Sequence, residues 1–190
     1  MSAFEIVTKY QDKLDESFLP YRATEDSAGY DFCSAQDIII PPIWSMFDRM
    51  SLVLDRPLES EDFDIPLNLE QVDKELKKYG IKPTLISTGL KVKLNKNEFL
   101  GIYSRSSSSY KYLLIVANSV GIIDADYYNN PKNEGEIFVQ VLNFSPFAIQ
   151  IKVGDKIAQG IIQEFKTIDT EDKKLMKTRV GGIGSTTIKD

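Results

Sequence analysis

The stretch that decides the fold class is EIFVQVLNFSPFAIQIKVGDKIAQGIIQEF, residues 136–165. It contains apolar runs rich in β-branched and aromatic residues, at 136–144, 147–152 and 156–165. Ser145-Pro146 and Gly154-Asp155 separate these runs, and such residue pairs are typical of turns. Because each run has the length of a strand and is bounded by turn residues, the stretch predicts consecutive β-strands.

The same pattern continues through the rest of the chain. Further short strand signals lie at 4–7, 30–40, 88–94, 99–104 and 112–117. In residues 88–94 the sequence alternates, which places the apolar Leu90, Val92 and Leu94 on one face of a strand and Lys91 and Lys93 on the other. Many short strands at near-regular spacing indicate a mainly β protein, either a sandwich or a barrel.

One segment departs from this pattern. The sequence NLEQVDKELKKYG at 68–80 has an apolar residue on every helical turn and predicts a helix at about 69–79. Asn68 is a candidate N-cap, Gln71 follows at the capping-box position, and Gly80 fits the position after the helix. The preceding residues, 43–66, mix aromatic and acidic side chains without a clear period and are expected to be irregular.

Composition restricts the chemistry that the chain can perform. Its 190 residues suggest one domain, and its net charge of -5 argues against a surface that binds nucleic acid. The chain has one cysteine and no histidine, so it cannot form an internal disulfide, a Cys/His zinc site or a Ser-His-Asp triad. Acid–base catalysis would therefore fall to carboxylates, Lys, Tyr or metal-bound water, and any metal would be a hard ion with oxygen ligands.

No apolar run approaches the ~20 residues that a membrane-spanning helix requires. The first residues, MSAFEIVTKYQDK, also lack the apolar core of a secretion signal. We therefore expect a cytoplasmic protein that does not contact membranes.

The strongest single candidate for catalysis lies in VANSVGIIDADYYNN, residues 116–130. An apolar run ends there at Asp124, and a carboxylate fixed at the end of a strand can orient and deprotonate a water molecule. Tyr127 could pack against a sugar ring, and the Asn118 carboxamide could read a base through its donor and acceptor. The alternative is a hairpin whose polar residues have no chemical role.

Other candidate residues are ambiguous when they are taken singly. Arg105 and the serines after it could form a solvated loop or an anion-binding nest. Asp31 fits a turn aspartate, and Gln159 lies within a strand. The tail RVGGIGSTTIKD, 179–190, is typical of a flexible end, or of a phosphate clamp made by backbone N–H groups and hydroxyls.

Five stretches become informative when they are considered together and in order. They are AGYDF (28–32), SRSSS (104–108), ANSVGIIDADYY (117–128), GDKIAQG (154–160) and RVGGIGSTT (179–187). This series resembles the five motifs of the homotrimeric dUTPase (dUTP diphosphatase) family, over about residues 4–40 and 82–187. The stretch DADYYNNPKNEGEI also resembles the longer third-motif loop of a bacterial and phage branch of that family.

The resemblance implies a jelly-roll-like β-barrel, here with one short inserted helix at about 69–79. It implies one domain over 1–178, a C-terminal arm at 179–190, and a homotrimer whose active sites are shared between subunits. The implied reaction is Mg²⁺-assisted hydrolysis of dUTP to dUMP and pyrophosphate. That activity would keep uracil out of DNA and supply dUMP for thymidylate synthesis.

The motifs also imply a role for each matching residue. Asp124 is expected to activate the attacking water, Tyr127 to stack on the deoxyribose, and Asp31 to contact Mg²⁺ through water. The expected uracil contacts are Asn118, Gly121, Ile122 and Ile123 in a β-hairpin. The expected phosphate contacts are Arg105, Ser106, Ser107 and Gln159. The expected closing residues of the arm are Arg179, Gly182, Ile183, Ser185 and Thr186.

The sequence departs from the family pattern at several positions. Ser104 and Ser107 stand where the second motif has proline and glycine, and Ile183 replaces the aromatic residue that covers uracil. The residues at about 43–81 resemble an insertion, which would be either a surface elaboration or a docking site for a protein partner.

Two other functions compete with dUTP hydrolysis. A dCTP deaminase shares the fold but needs a glutamate in the strand after the third motif, where this chain has Gln140. Because an amide cannot act as a base, deamination is disfavoured. A regulatory protein that binds partners on the same fold, with or without catalysis, is the second alternative.

Overall fold

The computed structural model describes residues 1–64 and 66–168, and this part of the chain is mainly β. Its strands are β1 (Ala3–Ile6), β2 (Tyr21–Arg22), β3 (Tyr30–Cys33), β4 (Ile38–Ile40), β5 (Thr84–Ser87), β6 (Leu90–Lys93), β7 (Glu98–Tyr103), β8 (Leu114–Val116), β9 (Gly121–Asp124), β10 (Phe138–Asn143), β11 (Ile149–Ile151) and β12 (Lys156–Glu164). Its α-helices are α1 (Ser45–Leu54), α2 (Leu69–Lys78) and α3 (Ser106–Tyr112). The mainly β prediction is therefore confirmed.

The strands form several small antiparallel sheets around one core. The largest has the order β2-β3-β12-β7-β9, another has the order β5-β10-β8, and β1-β6 and β11-β4 form pairs. Phe32 of β3, Ile86 of β5 and Leu100 of β7 are fully buried in the same hydrophobic cluster. Because strands from all of the sheets contribute to this cluster, it forms the main core between the sheets, and Val7, Tyr10 and Ala35 form a smaller cluster.

The stretch 136–165 forms β10, β11 and β12, as its apolar runs predict. The region 30–40 forms β3 and β4, while β5 was not predicted from the sequence. Of the two lysines that alternate with the apolar residues in 88–94, Lys93 is exposed, whereas Lys91 is only 7% exposed. The loop after β9 covers Lys91, as described below.

The segment between β4 and β5 is more helical than expected. The predicted helix is confirmed as α2, and its capping box is present, with Asn68 Oδ1 accepting from the Gln71 N–H at 2.9 Å. The preceding residues were expected to be irregular, but they contain α1, so the expectation of a single helix here was incomplete. Leu52 and Leu69 remain 81% and 89% exposed, so the apolar side chains of this segment are only partly packed.

Among the described residues, 1–64 and 66–168, no helix has both the length and the apolar character needed to cross a bilayer.

Candidate active site

The first, second and fourth sequence motifs meet at an ionic cluster on the largest sheet. Asp31 on β3 accepts a hydrogen bond from Arg105 Nε at 3.0 Å through Oδ1, and one from Lys156 Nζ at 2.7 Å through Oδ2. The hydrogen bond with Asp31 raises the pKa of Lys156, which keeps this ammonium charged. Two cations around one carboxylate leave a net positive charge, which suits the binding of an anion such as phosphate.

Gln159 joins the same cluster through the sheet register. It lies opposite Asp31 on β3 and opposite Tyr103 on β7, and its Nε2 donates to the Ser104 carbonyl at 3.1 Å. A Cβ at Gly29 would approach Gln159 Oε1 to 2.7 Å, so the small residue of AGYDF leaves room for this side chain. The structure thus brings together Asp31, Arg105 and Gln159, which the sequence had proposed separately.

The serines after Arg105 form a helix rather than a loop. Arg105 has an extended backbone at the N-cap position, and α3 begins at Ser106. Ser106 and Ser107 therefore occupy the first turn, whose N–H groups lack helical acceptors and carry a partial positive charge. The solvated loop considered for these serines is therefore not what forms, and their place next to Arg105 is compatible with the alternative of anion binding.

A cavity of about 360 Å³ lies beside this cluster. Its polar wall includes Ser104, Arg105, Ser107 and Lys156, and its apolar wall includes Leu114 and Ile151. A concave site with few polar groups against an apolar wall is typical of small-molecule binding.

In the third motif the chain leaves one sheet, at the end of β8, and enters another, at the start of β9. β8 pairs with β10, whereas β9 pairs with β7, so β8 and β9 are not partners in these ladders. The expected β-hairpin is instead a turn at 117–120, in which Ser119 has a left-handed backbone with φ of 59°. β8 and β9 each stand at the edge of their own sheet, and an edge strand offers backbone N–H and C=O groups that no strand of the sheet binds.

Asn118 is exposed at this turn and its carboxamide lies against Gly121, where a Cβ would be 3.4 Å from Asn118 Nδ2. Ile122 is exposed, and Ile123 is partly buried against the core. The residues expected to read uracil are therefore consecutive along one turn and strand, with the Asn118 amide against Gly121.

Asp124 and Tyr127 follow at the end of β9. Asp124 is half-buried and precedes a 3₁₀ turn, Ala125–Tyr127. Tyr127 is only 7% exposed, and its hydroxyl donates to the Glu136 carbonyl at 2.9 Å. The Tyr127 ring is thus fixed three residues after Asp124, where the resemblance predicts the catalytic carboxylate.

The two halves of the predicted site are separated within one chain. Gln159 lies opposite Tyr103 on β7, while Asp124 lies opposite Phe99 on the same strand. A separation of four residues along a strand corresponds to about 13 Å. The single chain therefore groups the phosphate-binding candidates apart from Asp124.

The donors present restrict how a metal could be held. Within the described ranges 1–64 and 66–168, the acidic and cysteine side chains form no group of three or more that could ligate an ion. Both oxygens of Asp31 already accept hydrogen bonds from cations. The Asp31 carboxylate is the kind of oxygen donor that Mg²⁺ takes in proteins, directly or through water.

Comparison with known proteins decides the family. The family model described as dUTPase matches residues 69–187. The chain belongs to the dUTPase family. A dUTPase relative, the deoxyuridine 5'-triphosphate nucleotidohydrolase of Lactococcus lactis, is 35% identical over 183 residues, covering 96% of this chain and 95% of the relative.

Solved structures agree with this dUTPase assignment. The crystal structure of the dUTPase from Streptococcus mutans is 31% identical, with a TM-score of 0.63, and the match covers 87% of this chain and 98% of that one. A mutant dUTPase from a Staphylococcus aureus phage shares the fold at 18% identity and a TM-score of 0.54, over 90% of this chain and 95% of that one. The latter protein is described with a structural Mg(II) ion.

One residue of the ionic cluster was not predicted from the sequence. Lys156 was not proposed, although it stands within GDKIAQG, and only the fold shows that it pairs with Asp31. The predicted residues of the arm lie outside the described part of the chain; they are Arg179, Gly182, Ile183, Ser185 and Thr186.

Proposed function

We propose that this dUTPase family member hydrolyses dUTP to dUMP and pyrophosphate, with Asp124 as the base that activates water. The observation that carries the proposal is the arrangement of the third motif, in which Asn118 lies against Gly121 and β9 ends at Asp124 beside a fixed Tyr127. This order provides a base-reading amide, a carboxylate and an aromatic ring along one short segment.

In the proposed reaction, a water oxygen attacks the α-phosphorus while Asp124 accepts its proton. The bond from the α-phosphorus to the bridging oxygen breaks, and pyrophosphate leaves with that oxygen. Arg105 and Lys156 hold the negative charge of the phosphates, with Ser106 and Ser107 at the first turn of α3. When bound, Mg²⁺ would supply further charge neutralisation, with Asp31 placed to contact its water shell.

The separation of Asp124 from Asp31, Arg105 and Gln159 supports a site shared between subunits of a homotrimer. Along β7, the positions opposite Gln159 and Asp124 are about 13 Å apart. A water molecule held at Asp124 could not reach a phosphate bound in the cluster of Gln159 and Arg105 of the same chain. A neighbouring subunit would bring its own Arg105 cluster to Asp124. In this proposal, the arm residues Arg179, Ser185 and Thr186 close over the triphosphate.

Sugar and base selection follow from the same segment. Tyr127 would stack on deoxyribose and exclude a 2′-hydroxyl, while Asn118 would pair with the uracil edge. Gln140 lies on β10 opposite Leu85, and its amide cannot supply the base that cytosine deamination requires. Hydrolysis of dUTP is therefore favoured over deamination of dCTP.

The test is pyrophosphate release by the purified protein with Mg²⁺, comparing dUTP, UTP, dTTP and dCTP. The proposal predicts turnover of dUTP well above the other nucleotides. Equal rates with dUTP and UTP would contradict the sugar contact, and absence of dUTP turnover by folded protein would refute the proposed reaction. Sedimentation of the same preparation tests the homotrimer.

A further inference from the structure

The loop that follows Tyr127 folds back onto that residue. Asn129 and Glu134 both have left-handed backbones, with φ of 55° and 61°. They are joined by a hydrogen bond from the Asn129 N–H to the Glu134 carbonyl at 3.1 Å. Non-glycine residues adopt this conformation at a cost, so the loop has a defined shape that other contacts must stabilise.

Gly135 brings the loop into direct contact with the backbone of Tyr127. Its φ is 82°, and a Cβ there would lie 2.7 Å from the Tyr127 carbonyl oxygen. Because the obstacle is main chain rather than a mobile side chain, only glycine permits this approach. The end of the loop at Gly135 therefore lies directly against the backbone of Tyr127.

Asn133 then contacts the Tyr127 hydroxyl itself. Asn133 Nδ2 donates to Tyr127 Oη at 2.7 Å, while the hydroxyl donates to the Glu136 carbonyl at 2.9 Å. Asn133 Oδ1 accepts from Asn130 Nδ2 at 2.6 Å, which fixes the orientation of the Asn133 amide. The hydroxyl is therefore held from two directions by residues of the returning loop.

The loop is anchored to the barrel by Lys91. Its Nζ donates to Asn129 Oδ1 at 2.8 Å and to Glu134 Oε1 at 2.6 Å. The Glu134 carboxylate also accepts from the Thr8 N–H at 3.0 Å and the Thr8 hydroxyl at 3.1 Å. The support for the Tyr127 ring thus extends through Asn133 and Glu134 to β6 and the N-terminal segment.

We infer that Asn133 is a positioning residue for sugar selection: through the Tyr127 hydroxyl it holds the ring in the position that admits deoxyribose and excludes ribose. This inference rests on the proposed function, because it assigns Asn133 a role at the same site. Asn133 does not touch the substrate; it acts by fixing the ring that does. A ring free to tilt would leave space for a 2′-hydroxyl.

A double-mutant cycle isolates this role from a general effect on the loop. The variants are Asn133→Ala, Tyr127→Phe and the double variant, with the exposed Asn97→Ala as a matched control. The measured quantity is the ratio of kcat/KM for dUTP to that for UTP, together with the melting temperature of each variant. If Asn133 acts by holding the Tyr127 hydroxyl, Asn133→Ala should not change the ratio further in the Tyr127→Phe background. If it acts on the loop in general, Asn133→Ala should change the ratio equally in both backgrounds.

We expect Asn133→Ala to lower the dUTP-to-UTP ratio roughly five- to tenfold, as for loss of one neutral hydrogen bond, with no further loss when Phe occupies position 127. Asn97→Ala should leave the ratio unchanged. An unchanged ratio in Asn133→Ala, or equal effects in both backgrounds, would overturn the inference while leaving the proposed reaction intact. Absence of dUTP turnover by the unmodified protein would instead refute the proposed function, and this inference with it.

Discussion

Arg105 and Asp31 are 74 residues apart in the sequence, yet Arg105 Nε lies 3.0 Å from Asp31 Oδ1. This ion pair joins the second motif to the first, and Lys156 of the fourth motif pairs with the other oxygen of the same carboxylate. Arg105 is also the residue immediately before α3, so the ion pair fixes the guanidinium on the residue that precedes this helix. In the proposed reaction, an Arg105 side chain that Asp31 already holds would lose less conformational freedom on binding phosphate than a mobile one.

Replacement of Arg105 by Gln should impair catalysis strongly. Loss of one charged donor to the phosphates is expected to lower kcat/KM for dUTP about 10²- to 10³-fold. Steady-state hydrolysis measures this, with the exposed Lys96→Gln as a control that removes the same charge at a turn away from the cluster. A loss below tenfold would show that Arg105 does not bind the reacting phosphates.

Gly29→Ala should reduce activity with little change in stability. The added methyl group would lie 2.7 Å from Gln159 Oε1, and this flexible amide can move away from it. Gln159 would then lose its hydrogen bond to the Ser104 carbonyl and move away from the ionic cluster of Asp31 and Arg105. Kinetics and thermal unfolding of the same sample test this prediction, and a lowered melting temperature with normal kcat/KM would contradict it.

Gly160→Ala is the matched comparison, because its neighbours cannot move so easily. A Cβ there would lie 2.5 Å from Phe32 Cε2 and 2.9 Å from Leu100 Cδ1, and both side chains are fully buried. Overpacking of this kind typically costs about 1–3 kcal/mol of unfolding free energy. Denaturant unfolding measures the loss, and wild-type stability would show that the β3–β12 packing is looser than the structure indicates.

Glu134→Gln should change how stability depends on pH. The hydrogen bond from Lys91 is the main reason that the pKa of Glu134 lies below its ordinary value of 4.5. Because the folded-state pKa is the lower one, the ionised carboxylate stabilises the fold above pH 4.5, and this contribution is lost as the pH falls through the lowered pKa. The variant should therefore be less stable at neutral pH and lose less stability on acidification.

Denaturant unfolding at neutral pH and at a series of pH values below 4.5 tests this prediction. The exposed Glu25→Gln provides a control with the same chemical change. Curves of stability against pH that run parallel for wild type and Glu134→Gln would contradict the assigned ion pair.

Local signals account for what could be predicted from the sequence. The α2 helix was predictable because Asn68 and Gln71 form a capping box within a few residues of each other. The α1 helix lacks such a signal, since its N-cap residue Trp44 makes no side-chain cap hydrogen bond. Serine is a weak helix former, so α3 was also hidden in RSSSSYK.

The site was predictable only in part, for a related reason. The motifs indicated Asp31, Arg105 and Gln159 singly, but their contact depends on the order of β3, β12 and β7 in the sheet. The burial of Lys91 and the role of Asn133 likewise depend on a loop that returns to the barrel. Sequence alternation cannot show which exposed positions another segment of the chain will cover.

The most direct test of the central claim is the rate of pyrophosphate release from dUTP by Asp124→Asn, with the exposed Asp12→Asn as control. An amide cannot accept the proton of the attacking water, so kcat should fall about 10²- to 10⁴-fold while dUTP binding persists. Asp12→Asn should match the wild-type rate. A kcat for Asp124→Asn close to that of the wild type would contradict the assignment of Asp124 as the catalytic base.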